Sequence, residues 1–479
     1  MPSGWAGSPG APALGPCSTE ADMGATAMLG DYVASAGRTP LPAATLRKAA
    51  YCMLDAIGVG LMASQEATVQ AVSDIVGKAP PASLSSVRHA RIWADGRQAS
   101  LADAALVNAV AVHAQFHDDT DYASWTHPGS LIVPMAVTLA DARGATLAQT
   151  LRAVVAGYNS LVWLGAAGQV GRAIIDRGLR ASPVLGAVAA TATAAVLLEL
   201  DRDQAINAIG IAASTCGGTL EPVRCGSDEW RIQNARAATG GLLAAQLAQR
   251  GVKGAPAGLE GPRGLLAALA GLDREPLAWQ TPPAADGILG VVAKPWATLG
   301  DNMSAVIAAK RIHDQGLDVG SVARIDITIW RHFTEYPGTA YRGPYDRVTQ
   351  AVASMAFGVA AMLVHGELDY DIPFARRNDP AILRLVPLVH IQPDDQGNTT
   401  DATVVVTLSN GREIASDARD AGTSMLHHDD ATSIALFERR LAHGGQAAGA
   451  GRAMAEAMLA ASTHDAGTTL HDWLAALYP

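Results

Sequence analysis

His113-Ala-Gln-Phe-His-Asp-Asp-Thr-Asp-Tyr-Ala-Ser-Trp-Thr-His-Pro-Gly-Ser130 joins two stretches with helical apolar spacing, Leu101 to Val112 and Leu131 to Leu139. Three histidines and three aspartates fall within this loop, in a chain with only 17% charged residues. Carboxylates beside imidazoles suit proton transfer, because each shifts the other's pKa toward the working range. Pro128 fits the first turn of the second helix, where its missing N–H is not needed. Gly129 and Ser130 would then leave N–H groups free beside His127 to take a carboxylate or phosphate. A polar loop with a helix cap is the plainer reading of any one of these residues, and a site is the better reading of the cluster.

The pattern continues in both directions. Helical spacing recurs at Leu46–Met62, Leu151–Leu164, Pro183–Leu200, Asp203–Ser214, Ala235–Gln249 and Gly264–Ala270. The absence of βαβ alternation and of a Gly-x-Gly-x-x-Gly turn argues against a dinucleotide fold. Near residue 290 the character changes. Ile325 to Ile329 alternates with period two, Thr403 to Leu408 and Arg412 to Ala415 flank a Ser409-Asn410-Gly411 turn, and Val348 to Val364 reads as one long apolar helix. Further helices follow at Ile434–Leu441 and Arg452–Leu459. The expected fold is mainly α with an α+β second domain. A large helical domain, residues 23–289 and 426–479, is formed by both chain ends, and a smaller α+β lid domain, 290–425, is inserted between them. Residues 1–22, rich in Gly, Pro, Ser and Ala, read as a disordered leader.

Composition narrows the function classes. The 479 residues are 49% hydrophobic and only 5% aromatic, and alanine and glycine are abundant, which favours close helix packing. A net charge of −10 argues against nucleic acid and anionic membrane as partners. Val184 to Leu200, the most apolar run, holds Thr191, Thr193 and Glu199 and reads as a buried helix. Cys17, Cys52, Cys216 and Cys225 show no Cys-x-x-Cys spacing, as expected for a reduced cytoplasmic protein.

A set of short motifs then carries a resemblance. Met53-Leu-Asp-Ala-Ile-Gly-Val-Gly60, Asn108, Asp118-Asp-Thr120, His127-Pro-Gly-Ser130 with Pro134, Gly157-Tyr158, Arg177-Gly178, Leu259-Glu-Gly261 with Gly264, Lys294-Pro-Trp296, and Ala351 with Ser354 follow one another in order. In this the chain resembles the MmgE/PrpD family, which includes 2-methylcitrate dehydratase, cis-aconitate decarboxylase and iminodisuccinate epimerase. The resemblance runs from about Leu41 to the C-terminal helices. It implies a helical domain with an inserted lid, a site between the two, a homodimer, and no metal or organic cofactor.

Position by position, the resemblance assigns Asp118, Asp119, Thr120, His127 and Lys294 to the site. The family's next histidine falls on Arg180, a family lysine on Trp230 beside Arg231, and a histidine or cysteine on Leu299. An additional acidic position falls on Phe116 or Gln115, and His117 has no counterpart. Arginine binds carboxylates bidentately but is no base near neutral pH, so Arg180 moves from proton transfer toward anion binding. The candidate acids and bases are His127, Asp118, Asp119, Lys294 and His117. Thr120, Arg180, Arg231, Gly129 and Ser130 are the expected substrate contacts.

The expected activity is that of a lyase, with dehydration of a small polycarboxylate or hydroxy acid leading and decarboxylation or epimerisation as alternatives. Two further alternatives are a metal enzyme, with His113 and His117 on one helical face completed by Asp118, Asp121 or His127, and an inactive binding subunit. Plainer structural roles stand beside each residue. Asp118 or Asp119 could cap a helix or pair with a buried arginine, His127 could be a satisfied loop histidine, and Lys294, Arg180 and Arg231 could be solvated surface charges. The run His427-His428-Asp429-Asp430 reads as a helix cap.

Overall fold

The computed structural model describes residues 24–76, 89–419, 429–445 and 449–478. The proposed leader, Cys17 and the pair His427-His428 lie outside them. The protein is 59% helical, with small sheets of two and four strands, a mainly α fold with a smaller α+β part.

The helical part is built around α1 (Ala43–Met62), α2 (Leu101–His113), α3 (Pro128–Arg143), α4 (Leu147–Gly165), α5 (Ala181–Leu197) and α6 (Trp230–Gln249). Their ends follow local chemistry. The Ser100 hydroxyl accepts the Asp103 N–H at the start of α2, and Thr146 and Gln149 form a capping box at the start of α4. Helix α5 is buried almost throughout and packs on α3, α4 and α6. Its alanine-rich surface lets these neighbours approach closely. A Cβ on Gly157 of α4 would lie 1.9 Å from Thr193 Oγ1, and one on Gly241 of α6 would lie 2.7 Å from the Ala187 carbonyl. Only glycine fits either contact.

A hairpin-like pair, β1 (His89–Arg91) and β2 (Gln98–Ser100), leads into α2 and has no counterpart in the sequence reading. The larger sheet has the order β4-β3-β5-β6, from β3 (Val322–Trp330), β4 (Val389–Asp394), β5 (Ala402–Leu408) and β6 (Glu413–Asp417). Strand β4, missed in the sequence because Gln392 and Pro393 break its apolar pattern, pairs in parallel with β3, and the other pairings are antiparallel. Ile325, Ile327 and Ile329 of β3 stand opposite Val406, Val404 and Ala402 of β5 and are fully buried with them. Helix α7 (Met303–Asp314) lies on β5 and β6 and against α8 (Met355–His365). The single helix expected over Val348–Val364 is interrupted. Ser354 takes an extended conformation (ψ 119°), ends one helix at Ala353, and caps α8 through its hydroxyl.

The apolar side chains form two principal cores. One draws on residues 25–291 and again on 437–477, and the other on 292–418. The chain end returns through α9 (Asp430–His443), which packs on α1. There Arg440 donates to the Asp55 carboxylate at 2.7 Å and to its carbonyl at 3.1 Å. Asp429 caps α9 by accepting the Thr432 N–H. The two parts are stitched beside the polar loop, where Thr120 and Val292 exchange backbone hydrogen bonds of 2.8 and 2.9 Å. Among the described residues, no helix is long and apolar enough to cross a membrane.

Candidate active site

Helix α2 stops at His113, and the chain turns sharply behind it. Phe116 and Trp125 take left-handed backbone conformations (φ 53° and 59°), which cost a side chain of this size about 1–2 kcal/mol each. Phe116 is held by stacking on Trp230 at 3.7 Å between ring centroids, an arrangement worth about 0.5–1.5 kcal/mol beyond burial. This turn folds the polar residues of the loop inward.

His113, Asp118, Arg180 and Lys294 meet in a buried cluster. His113 Nδ1 lies 2.8 Å from Asp118 Oδ2, and its Nε2 lies 2.9 Å from Arg180 Nη2. A guanidinium can only donate, so Nε2 accepts and the proton sits on Nδ1, facing the carboxylate. His113 is therefore neutral. Burial lowers its pKa to about 4, against the opposing pull of Asp118. Burial alone would raise the Asp118 carboxyl, but His113, His127 and Lys294 together hold it well below the usual carboxylate range. Lys294 Nζ stands 3.9 Å from Asp118 Oδ1 and donates to the Thr298 carbonyl at 3.3 Å. Its pKa is lowered by burial, which the nearby carboxylates, Asp118 foremost, oppose. Arg180 also donates to the Trp230 carbonyl at 2.8 Å and to Gln233 at 3.1 Å, with Tyr336 against it.

His127 stands at the edge of this cluster, its ring centroid 5.4 Å from that of His113. Its Nδ1 is 3.0 Å from the Asp119 carbonyl and 3.3 Å from Thr120 Oγ1. A carbonyl only accepts, so Nδ1 carries the proton and Nε2 presents a lone pair. Burial, with Lys294 as the next cause, lowers its pKa to about 3. His127 lines a cavity of about 30 Å3 together with Thr120, Leu299, Asp301 and Tyr336. Asp301 makes no side-chain hydrogen bond or close ion pair among the described residues, and burial raises its pKa to about 7 against the pull of Lys294. One wall of the cavity thus holds a neutral imidazole and another a carboxyl that burial keeps protonated well above the usual carboxylate range.

Other sequence candidates fall elsewhere. Asp119 Oδ1 accepts the Gly129 N–H at 2.6 Å and its Oδ2 accepts the Tyr158 hydroxyl at 2.7 Å. It closes the N-terminus of α3 from ten residues upstream, where His127 is the N-cap residue, and the Gly129 N–H expected to be free is taken by it. Burial, with Asp55 as the next cause, raises the Asp119 pKa to about 7. The Ser130 hydroxyl donates to the His127 carbonyl and accepts from Asn234. Arg231 is fully buried and engaged by the Ala114 carbonyl at 2.8 Å, by Asp228 at 2.5 Å, and by the face of Trp230. Neither it nor Arg180 is a solvated surface charge. His117 lies in a different cavity, away from His127. Because α2 ends at His113, His113 and His117 do not share a helical face, and the metal arrangement drawn from their spacing is not assembled. Among the described residues no group of three or more His, Cys, Asp or Glu side chains could hold a metal ion.

Asp301, Tyr336 and the role of His113 escaped the sequence reading. No local motif marks them; Asp301 follows the Lys294-Pro-Trp296 run by a few residues, and that proximity was the only available signal. The substituted positions have a shared fate: Phe116, Trp230 and Leu299 pack together in one small apolar cluster with Leu220, Val223 and Val352. Three of the departures from the resemblance therefore lie together, while Arg180 sits in the charge cluster.

A cis-aconitate decarboxylase-like protein of Aspergillus oryzae, oryM, is 30% identical over 237 residues, 48% of this chain and 48% of that protein. The cis-aconitate decarboxylase of Aspergillus terreus is 26% identical over 242 residues, 49% of this chain and 47% of its own length. The match thus spans about half the length of these curated relatives. The model of the MmgE/PrpD N-terminal domain matches residues 27–276, which carry Asp118, Thr120, His127 and Arg180 and make up more than half of the sequence. The chain belongs to the MmgE/PrpD family.

Proposed function

We propose that this protein is a lyase of the dehydratase and decarboxylase type acting on a small carboxylic acid, and that dehydration is the reaction its cavity fits best. The observation that carries the reading is the pairing of His127 with Asp301 on one small cavity. Dehydration next to a carboxylate needs a base for the C–H proton and an acid for the departing hydroxide. His127 Nε2 is the base and Asp301 the acid. A pKa near 3 makes His127 a weak base in the empty site, and an anionic substrate beside it raises that value by favouring the imidazolium. Lys294 stabilises the enolate-like charge, with Asp118 and His113 fixing its surroundings. Arg180 holds His113 in the required tautomer and adds positive charge behind the site.

The apolar wall of Phe116, Trp230 and Leu299 stands where the resemblance places ionisable groups. It favours an acid with an uncharged flank over a tricarboxylate. A cavity of about 30 Å3 holds little more than one water, so the seam between the two cores must widen to admit substrate. Within this proposal the cores are two domains, residues 23–289 with 426–479 and residues 290–425, the second acting as a lid. A homodimer, a cytoplasmic location and independence of metals and organic cofactors belong to the same proposal. Light scattering, cell fractionation and activity after EDTA dialysis test them in turn.

Decarboxylation is the second reading, favoured by the names of the two Aspergillus relatives. There the C–C bond to one carboxylate breaks, CO2 leaves with that carbon, the electron pair remains as a carbanion beside a second carboxylate, and Asp301 gives it a proton. Incubation with a panel of hydroxy and unsaturated carboxylic acids, with products followed by mass, separates the two. Loss of 18 mass units supports dehydration and loss of 44 supports decarboxylation. No turnover of any acid by the folded protein would favour an inactive binding subunit.

A further inference from the structure

Tyr122 and Trp125 line the small cavity at His127 and also a wider one, of about 640 Å3, with Arg172, Asp176, Trp330 and His332. The two spaces share no other lining residue, so these two rings stand between them. The rings are held in different ways. Tyr122 is tethered, its hydroxyl donating to the Gly300 carbonyl at 2.9 Å. Trp125 is half-buried, and its side chain makes no hydrogen bond among the described residues. Only packing keeps it in place.

That packing crosses the seam. Trp125 lies against both principal cores. From the second core it meets Trp330, His332 and Phe333, at 6.0, 6.4 and 6.0 Å between ring centroids. From the helical part, the Arg172 guanidinium lies over its ring at 5.5 Å. Arg172 also spans the seam directly. Its Nη2 donates to Glu335 at 2.8 Å, while its Nε donates to Asp176 at 2.9 Å. The backbone beneath Trp125 is fixed by comparison. The Ser124 hydroxyl donates to Asp121 at 2.5 Å, and a Cβ on Gly171 would lie 2.2 Å from the Ser124 carbonyl oxygen. A movement that joins the two cavities therefore comes from the Trp125 side chain or from residues 330–335, and not from the loop itself.

We propose that substrate reaches His127 through the wider cavity and past Trp125, whose ring closes the passage, with the Arg172–Glu335 ion pair as its latch. This rests on the reading of the His127 cavity as the reaction site. Trp125 is then a residue that determines what is admitted. A carboxylate approaching from solvent meets the Arg172 cation before the ring, and the rest of the molecule must pass between aromatic faces. Glu335 and the substrate carboxylate are the same kind of group, so they compete for one guanidinium. An acid therefore loosens the latch in a way that an uncharged molecule does not.

The test is the rate at which diethyl pyrocarbonate acylates His127 in the full-length protein, followed residue by residue by peptide mass spectrometry. The reagent attacks a neutral imidazole and reads access, not turnover. Its outcome therefore does not depend on whether an acid is dehydrated, decarboxylated or left unchanged. In the wild type, His127 should react at least about tenfold more slowly than the exposed His443, as a site reached only through an open minority state does. Trp125→Gly removes the ring and suits the left-handed backbone there; it should speed His127 by about tenfold, returning it to the open-state rate. Glu335→Gln should speed it by up to about fivefold, the range of an exposed ion pair. His443 should react alike in all three proteins. A wild-type His127 that reacts as fast as His443 would overturn the proposal. So would a wild-type rate at His127 in Trp125→Gly with its circular dichroism intact; if that variant does not fold, Trp125→Leu is read in its place. A wild-type rate in Glu335→Gln would overturn the latch.

Discussion

Asp118 and His117 are neighbours in the chain and lie in different surroundings. At Asp118 the charges converge: His113 bridges its carboxylate to Arg180, Lys294 stands 3.9 Å from Oδ1, and the cavity at the adjoining His127 is only about 30 Å3. His117 instead lines a cavity of about 410 Å3 in which the buried cation, Arg440, is already held by Asp55. The first arrangement gathers two cations and an imidazole round one carboxylate and leaves little space. The second offers space, with its buried charge spent elsewhere. The difference teaches that neither burial nor room by itself marks a candidate site; what matters is whether the buried charges converge on the space.

The most disruptive way to break the comparison is Asp118→Ala. It leaves Lys294 and the His113 N–H without their shared carboxylate, and breaking a buried ion pair from one side costs about 3–5 kcal/mol. Urea denaturation followed by circular dichroism measures it, and a loss below 1 kcal/mol would show that the cluster is not held by that carboxylate. His127→Ala should leave the fold intact and lower kcat by about 10²–10⁴-fold, the range for removal of a proton-transfer group. Wild-type turnover in that variant would pass the proton work to Lys294 or Asp301.

Asp301→Asn sharpens the assignment of acid and base. Its folded pKa, about 7, lies above the ordinary carboxyl value of 3.8. Between those values the folded state binds more protons than the unfolded chain, so its contribution to stability declines as pH rises from about 4 to 7. As the acid, it should also make kcat fall as pH rises through about 7, and Asp301→Asn should abolish that limb together with most of the activity. A pH profile with the limb intact in the variant would exclude Asp301. Asp119→Asn is expected to do least. Its amide oxygen still accepts the Gly129 N–H, and its NH2 group can donate to the Tyr158 oxygen once that hydroxyl turns, so stability at pH 7 should change by no more than about 1 kcal/mol, the scale of a helix cap, with kcat near that of the wild type. A hundredfold loss of kcat would return Asp119 to the reacting groups.

Much of this was legible in the sequence. The longer helices between Leu46 and Gln249 emerged at close to their observed positions, because apolar periodicity and caps are local properties of a few turns, while the short helices Ala67–Ile75, Gln169–Asp176 and Glu221–Cys225 did not. The hairpin around Asn410-Gly411 was legible for the same reason. The loop from His113 to Ser130 marked itself as a candidate site through its composition. What the pattern could not tell was which way each side chain would face. Asp118 and Asp119 are adjacent and chemically alike, yet one lies in a charge cluster and the other caps α3, because consecutive residues in an extended turn point to opposite sides.

The sequence by itself determined the family, the helical architecture with a smaller α+β part, and the loop that carries the candidate chemistry. These rest on residue order and short-range periodicity. Only the tertiary structure decided that Arg180 faces His113 rather than solvent, that Asp301 shares a cavity with His127, and that Phe116, Trp230 and Leu299 form one wall. Those contacts join residues far apart in the chain, on elements whose mutual placement is fixed by core packing, and pKa values such as those of His127 and Asp301 come from burial and neighbours that no single segment contains.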